Sequence, residues 1–175
     1  PASNLNNLGA LPLLTGVSIV RSLKYTTAIE TGLKWPNDVI LDEKKLGGIL
    51  IETKSSKHGL GIVVGVGLNI NESNNDIPKQ LQNQATSIFL KLNQNVNRAL
   101  ILSTILNEFE YLYLNQPNEI IPLWKKYCVH LGKKITFHSD NHLHHGIFQG
   151  ITEEGYAKID IHGKTKTFSA GMVHL

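Results

Sequence analysis

The sequence has 175 residues, enough for one ordinary domain or for one medium and one small domain. Its composition, 41% hydrophobic and 18% charged, is that of a globular protein, and it holds no apolar run of about 18 residues that could span a membrane. The net charge is +3, but Arg21 and Arg98 are the only arginines, which argues against a specific nucleic-acid surface. The single cysteine, Cys128, excludes an internal disulfide and fits a cytoplasmic protein with a packed thiol.

The first half of the chain predicts one helix followed by a β-meander. Residues 11–24 carry apolar side chains at helical spacing, which predicts an amphipathic helix. Apolar runs at 39–41 and 46–53 flank a polar turn at 42–44, which predicts a β-hairpin. The nearly continuous apolar run at 62–70 predicts a buried central strand. Residues 33–70 are therefore predicted to form a meander that carries its polar residues at strand ends.

The second half predicts a loop, two helices and a β-rich tail. Residues 71–84 are polar and form a predicted loop, and helices are predicted at 99–114 and 117–130. The apolar face assigned to the first of these helices consists of Leu102, Ile105, Phe109 and Leu112. After Gly132, short alternating runs predict a small antiparallel barrel or sheet. We therefore expect an α+β fold in two parts, a body over residues 1–130 and a tail over 131–175 that packs on it.

Residues 35–38, Trp-Pro-Asn-Asp, are the first candidate for a site. Proline forces Trp35 towards an extended conformation, and Asn37 and Asp38 after it favour a turn. One interpretation is a rigid turn with Trp35 buried. The other is that Asn37 and Asp38 present an amide and a carboxylate to a ligand or to a catalytic lysine.

Lys45 is the second candidate. Strict alternation along the strand places it on the same face as Gly47 and Ile49, at the mouth of that face. An ammonium group there can neutralise a carboxylate and the phosphate that the carboxylate attacks. The alternative is a solvated hairpin lysine like Lys44.

Glycines on two neighbouring strands suggest a ligand close to the backbone. Mid-strand glycine weakens a strand, so the glycine pairs at 47–48 and at 65 and 67 indicate a flat floor for a planar ligand. Neither a dinucleotide-binding fingerprint nor a Walker loop accompanies them. His142, His144 and His145 are interpreted as solvated histidines at a hairpin tip, because no acidic or cysteine ligands with zinc spacing accompany them.

Three motifs in order resemble those of biotin protein ligases. They are KWPND at 34–38, KKLGGILIE at 44–52 and GVGLNI at 65–70, followed by Ala-Thr-Ser-Ile at 85–88. The tail resembles the small C-terminal SH3-like domain of the members of this family. The implied fold is a mixed sheet flanked by helices, like that of class II synthetases, plus an SH3-like β-barrel. Lipoate and octanoyl transferases share the fold and an equivalent lysine but lack the KWPND block and this tail.

The resemblance implies ATP-dependent activation of biotin to biotinyl-5'-AMP and its transfer to a lysine of a biotin carboxyl carrier protein. Lys45 matches the catalytic lysine that contacts the biotin carboxylate. The positions matched to the backbone that lines biotin are Gly48, Gly65 and Gly67. The positions matched to the nucleotide site are Asn37, Asp38 and Asn69. Magnesium is expected to arrive with ATP near Asp38 rather than in a site made by protein alone.

The expected arginine- and glycine-rich adenylate-binding loop of the family would precede Pro1, so we expect the sequence to contain only part of the site. The implied partners are the carrier protein of acetyl-CoA carboxylase or a related carboxylase, and a second copy of the chain in a homodimer. Two alternatives stay open. One is a non-catalytic interaction module derived from the ligase, and the other is a lipoate-type acyltransferase.

Overall fold

The computed structural model describes residues 9–174 except 58, 140 and 141. The four helices are α1 (Ala10–Thr27), α2 (Ile88–Leu92), α3 (Arg98–Asn115) and α4 (Ile120–Tyr127), with 3-10 turns at Lys79–Leu81 and Pro117–Glu119. The first four strands are β1 (Gly32–Lys34), β2 (Asp38–Leu41), β3 (Lys44–Ser56) and β4 (Gly59–Leu68). The other five are β5 (Lys134–Ser139), β6 (His142–Ile151), β7 (Ala157–Ile161), β8 (Lys164–Phe168) and β9 (Met172–His174).

The first sheet contains the predicted meander and one strand that was not predicted, β1; the strand order is β1-β2-β3-β4 with antiparallel pairing throughout. Asp42 and Glu43 form the hairpin turn, with φ angles of 48° and 65°. Positive φ at both central residues is the geometry that matches the twist of a two-residue hairpin. Helix α1 packs beneath this sheet, and a Cβ added at Gly16 would lie 2.9 Å from a Leu33 methyl carbon. Glycine therefore permits the close approach of helix and sheet.

The prediction that residues 62–70 form a buried central strand was wrong. Strand β4 is the last strand of the sheet and, among the described residues, pairs only with β3. Its side chains are largely exposed; the apolar ones exposed by 41–59% are Leu60, Ile62, Val63 and Val66. A continuous apolar run predicts a strand but carries no information about what covers it.

The helices follow the predicted order with changes in their bounds. Helix α3 buries Ile101, Ile105 and Leu112, whereas Leu102, assigned to the buried face, is 58% exposed. Helix α4 is shorter than the predicted helix at 117–130, because a 3-10 turn precedes it and an extended Cys128 ends it. The short helix α2 was not predicted; its first turn is capped by Ser87, whose hydroxyl oxygen accepts a hydrogen bond from the Leu90 N–H.

The tail forms an antiparallel five-stranded sheet in the order β8-β7-β6-β5-β9. The predicted sheet is confirmed, while the pairings among the described strands leave it open between β8 and β9, so no closed barrel is found. This sheet packs on the rest of the chain through α4, α1 and the turn after β1. The indole N–H of Trp35 donates to the Gly155 carbonyl at 2.9 Å, and the Trp35 and Phe137 rings lie 6.0 Å apart. Both sheets thus share one hydrophobic core.

Gly47 and Gly67 give a matched test of the β3–β4 pairing. A Cβ at Gly47 would overlap the Gly67 carbonyl oxygen and the Leu68 side chain, whereas a Cβ at Gly67 meets nothing within 4 Å. We expect Gly47→Ala to lower the free energy of unfolding by about 1–3 kcal/mol. Gly67→Ala should change it by less than about 0.5 kcal/mol. Urea unfolding followed by circular dichroism measures both; equal losses would contradict the packing described here.

Candidate active site

One row of cross-strand neighbours crosses the whole first sheet. Lys34 on β1 is opposite Asp38 on β2, Asp38 is opposite Gly48 on β3, and Gly48 is opposite Gly67 on β4. Directly opposite residues project on the same face of a sheet. We call these four residues the Asp38 row. Two of its members are charged and two are glycines, so the row has a polar half and an open half.

Lys45 joins this face through a β-bulge. In the register, Val39 is opposite Gly47 and Ile40 is opposite Lys45, so Leu46 is an extra residue on β3. The prediction from strict alternation, that Lys45 shares a face with Gly47 and Ile49, was therefore wrong. The Lys45 ammonium nitrogen lies 3.4 Å from the position that a Gly48 Cβ would take.

Asp38 joins two lysines from different strands. Its Oδ1 lies 2.5 Å from Lys45 Nζ and its Oδ2 lies 3.0 Å from Lys34 Nζ. The side chains of Asp38 and Lys34 are only 13% and 20% exposed, whereas that of Lys45 is 52% exposed. Two ammonium groups and one carboxylate leave one net positive charge, and the more accessible cation faces the glycines. An anionic ligand is favoured at this place.

Hydrogen bonds connect the turn at 35–38, which contains Asp38, to β3. The Asn37 side-chain amide donates to the Ile49 carbonyl at 2.6 Å, and the Ile49 N–H donates to the Asn37 carbonyl at 2.9 Å. The Trp35–Pro36 peptide bond is cis, and Trp35 is 2% exposed. The rigid-turn interpretation and the contact of Asp38 with a lysine therefore both hold. A contact of Asn37 with a nucleotide stays a prediction.

Residues 84–86 support the backbone of Lys45, a role that sequence reasoning missed. The Lys45 N–H donates to the Gln84 carbonyl at 2.7 Å, and the Thr86 N–H donates to the Lys45 carbonyl at 3.0 Å. The Asn69 amide donates to the Thr86 carbonyl at 3.0 Å, and the Asn69 N–H donates to the Leu46 carbonyl at 2.9 Å. Asn69 and residues 84–86 thus hold the bulge in place. Their resemblance to family motifs was visible in the sequence, but this long-range pairing was not.

The predicted glycine floor lies on the same face as Lys45. Gly48 is opposite Gly67, and Gly65 is opposite Leu50, so all three glycines of the prediction share that face. A Cβ at Gly65 would make only ordinary contacts with Leu50, at 3.6 and 3.7 Å, and one at Gly67 would meet nothing within 4 Å. Gly47 belongs to the opposite, buried face. The backbone beside Lys45 is therefore open to a flat ligand.

Comparison with known proteins finds relatives among the biotin protein ligases. The model of the biotin/lipoate A/B protein ligase family matches residues 3–69. The bifunctional ligase/repressor BirA of Bacillus subtilis is 30% identical over 176 residues, which cover 97% of this chain and 54% of that protein. The biotin–[acetyl-CoA-carboxylase] ligase of Mycobacterium tuberculosis is 30% identical over 175 residues, which cover 95% of this chain and 63% of that protein. The chain is thus similar to biotin protein ligases over nearly its whole length.

Solved structures agree with this assignment. The biotin protein ligase of Aquifex aeolicus, in complex with biotin and ATP, superposes with a TM-score of 0.81 at 28% identity. The match covers 97% of this chain and 73% of the Aquifex chain. The α+β fold predicted from the sequence is that of these ligases. The chain spans about half the length of the Bacillus relatives that it matches.

Cys128 and His130 are close together but do not form a reactive pair. Cys128 Sγ lies 3.4 Å from His130 Nδ1. Burial raises the pKa of the Cys128 thiol to about 11. Burial, together with the charges of Lys34 and Lys133, lowers the pKa of His130 to about 3. Near neutral pH the thiol is protonated and the imidazole is uncharged, which is the state expected of packed side chains rather than of a nucleophile and its base.

Across the described residues no group of three or more His, Cys, Asp or Glu side chains is arranged to hold a metal ion. His142 and His144, both on β6, have ring centroids 6.3 Å apart. Both oxygens of Asp38 are engaged by lysines, so this carboxylate does not fit a magnesium ligand in the arrangement seen here. No described helix is long and apolar enough to cross a membrane.

The burial of His130 in the core predicts how the stability of the protein depends on pH. Its pKa is about 3 in the folded protein against an ordinary value of 6.5, so the unfolded chain binds the extra proton between these pH values. The contribution of neutral His130 to the free energy of unfolding is complete above about pH 6.5 and is lost as the pH falls towards about 3. The slope of this loss reaches about 1.4 kcal/mol per pH unit.

The comparison is between the wild type and His130→Phe, which keeps a ring beside Phe148 but cannot titrate. Free energies of unfolding from urea titrations between pH 7.5 and 4.5 should fall more steeply in the wild type. Parallel curves for the two proteins would show that His130 is not buried in its neutral form.

Proposed function

We propose that this protein activates biotin with ATP to form biotinyl-5'-AMP and transfers the biotinyl group to a lysine of a biotin carboxyl carrier protein. The observation that carries the proposal is the Lys45 ammonium, held by Asp38 beside an open backbone floor of Gly48 and Gly67. The match to the family model and the names of the matched relatives support it.

In the first step a carboxylate oxygen of biotin attacks the α-phosphorus of ATP. A carboxylate O–P bond forms, the bond from the α-phosphorus to the bridging oxygen breaks, and pyrophosphate leaves with the electron pair. No proton is transferred. Lys45 donates hydrogen bonds to the carboxylate and to an α-phosphate oxygen, and its positive charge counters the negative charge that gathers between them.

In the second step the uncharged amine of the carrier lysine attacks the acyl carbon of the adenylate. The amide bond forms, the bond from the acyl carbon to the phosphate oxygen breaks, and AMP leaves with that electron pair. The amine releases its proton to water. Lys45 stabilises the phosphate that departs, so one fixed cation serves both steps.

The remaining site positions are proposed from the family resemblance together with this placement. We assign Gly48, Gly65 and Gly67 to the surface under biotin, because they lie open on the face of Lys45. Asn37, Asp38 and Asn69 are assigned to the nucleotide side. Asp38 acts there through the two lysines that it holds; a magnesium ion that arrived with ATP would be held by the phosphates and would neutralise part of their charge. No step above requires it.

We assign residues 1–130 to the catalytic part and 131–175 to an SH3-like domain. The support is that every strand of the second sheet begins at Lys134 or later and that its turn at Gly155 meets Trp35 of the site turn. The carrier protein of acetyl-CoA carboxylase is the proposed acceptor, since the Mycobacterium relative is named for that substrate. Homodimerisation and a cytoplasmic location stay predictions.

A lipoate ligase is the second candidate, because the matching family model is named for both biotin and lipoate. The two differ in the acid that drives ATP turnover. Full-length protein is incubated with ATP and either biotin or lipoate, and pyrophosphate release is measured. Release with biotin alone supports the proposal, and release with lipoate alone supports the alternative. Release with neither acid favours the non-catalytic interaction module.

Lys45→Ala tests the catalytic assignment. We expect biotin-dependent pyrophosphate release by the full-length protein to fall by about 10²–10³-fold, as when a direct donor to a developing charge is removed. The unfolding midpoint should fall only slightly, because Lys34 keeps Asp38 Oδ2 and removal of the Lys45 side chain, which is 52% exposed, lets water reach Asp38 Oδ1. The matched control is Lys44→Ala, since Lys44 contacts the Gln82 carbonyl instead of the row. Unchanged turnover in Lys45→Ala would remove this role.

A further inference from the structure

We propose that Lys34 is a positioning residue of the ligase site, which acts through Asp38 to keep Lys45 oriented and the site positively charged. The inference rests on the function proposed above and names a residue that has no direct part in it. Lys34 Nζ lies 3.0 Å from Asp38 Oδ2, on the side of the carboxylate away from Lys45. The three groups form a chain in which each ammonium holds one oxygen.

The geometry of Asp38 requires a second cation. Its side chain is only 13% exposed, so both carboxylate oxygens have lost most of their contact with water. A buried carboxylate needs hydrogen-bond donors or counter-charges on both oxygens. Lys45 supplies one and Lys34 the other. Without Lys34, the free oxygen of Asp38 would compete for Lys45 and turn its ammonium away from the glycines.

The charge of the site depends on Lys34 as well. Lys34, Asp38 and Lys45 together carry one net positive charge, whereas Asp38 and Lys45 alone form a neutral pair. Biotin carboxylate and ATP are both anionic, so a neutral pair attracts them less than the charged triad. Lys34 is 20% exposed, which lowers the screening of its charge by solvent.

The backbone of β1 does not depend on the Lys34 side chain. Leu33 forms a parallel bridge with Cys128, and the Val129 N–H donates to the Leu33 carbonyl at 3.0 Å. Lys34 itself is paired with Asp38 in the register of β1 and β2. A change confined to the side chain at position 34 therefore leaves the strand anchored on both sides, which makes the charge testable apart from the fold.

The experiment compares Lys34→Met, which keeps the length of the side chain but removes its charge, with Lys34→Arg, which keeps the charge. Lys44→Met is the control for loss of one lysine outside the row. Biotin-dependent pyrophosphate release by the full-length proteins gives kcat and the KM for biotin at low and high salt. Circular dichroism checks that each variant is folded.

We expect Lys34→Met to lose about tenfold in kcat/KM, less than the about 10²–10³-fold expected when a direct donor is removed. The KM for biotin should rise, and the loss of activity with added salt should be shallower than in the wild type, because the site attracts anions less. Lys34→Arg should regain most of the activity, and Lys44→Met should match the wild type.

A Lys34→Met protein with the kcat/KM and the salt dependence of the wild type would overturn the inference. A loss of kcat/KM that Lys34→Arg does not restore, with unchanged salt dependence, would overturn it as well. In both cases the proposed function stands, because the wild type turns over. A wild-type protein that releases no pyrophosphate with biotin would instead overturn the proposed function, and the role of Lys34 with it.

Discussion

The ion pairs of Asp38 are the contacts on which the site depends. A carboxylate that is 13% exposed is stable only when charged or polar groups replace the water it has lost. The two lysines that do so come from β1 and from the bulged start of β3, so their meeting depends on the register of three strands. The same contacts set the direction of the Lys45 ammonium and the sign of the charge that a substrate meets.

Much of the surrounding structure fixes this arrangement. Residues 84–86 and Asn69 hold the backbone on both sides of the bulge, and Asn37 ties the preceding turn to β3. The second sheet takes part as well, because the Gly155 carbonyl accepts a hydrogen bond from Trp35 within the same turn. These contacts hold the glycines and the Lys45 ammonium on one face of the sheet.

Local patterns predicted the elements that depend on local physics. The helix predicted at 11–24, the turn predicted at 42–44 and three of the four meander strands followed from turn residues and hydrophobic periodicity, whereas β1 was not predicted. The face of Lys45 did not, because one extra residue in a strand reverses every side chain after it and the bulge is specified by contacts with distant residues. The exposure of β4 could not be predicted from a local pattern either, because an apolar run has the same sequence pattern in a central strand and in an edge strand.

The most direct test of the central claim is a crystal structure of the full-length protein with a non-hydrolysable analogue of biotinyl-5'-AMP. The account predicts that the Lys45 ammonium lies within hydrogen-bonding distance of the acyl-phosphate group and keeps its contact with Asp38, while the biotin rings lie over Gly48 and Gly67. An analogue bound on the opposite face of the sheet, or one whose acyl-phosphate group makes no contact with Lys45, would contradict it.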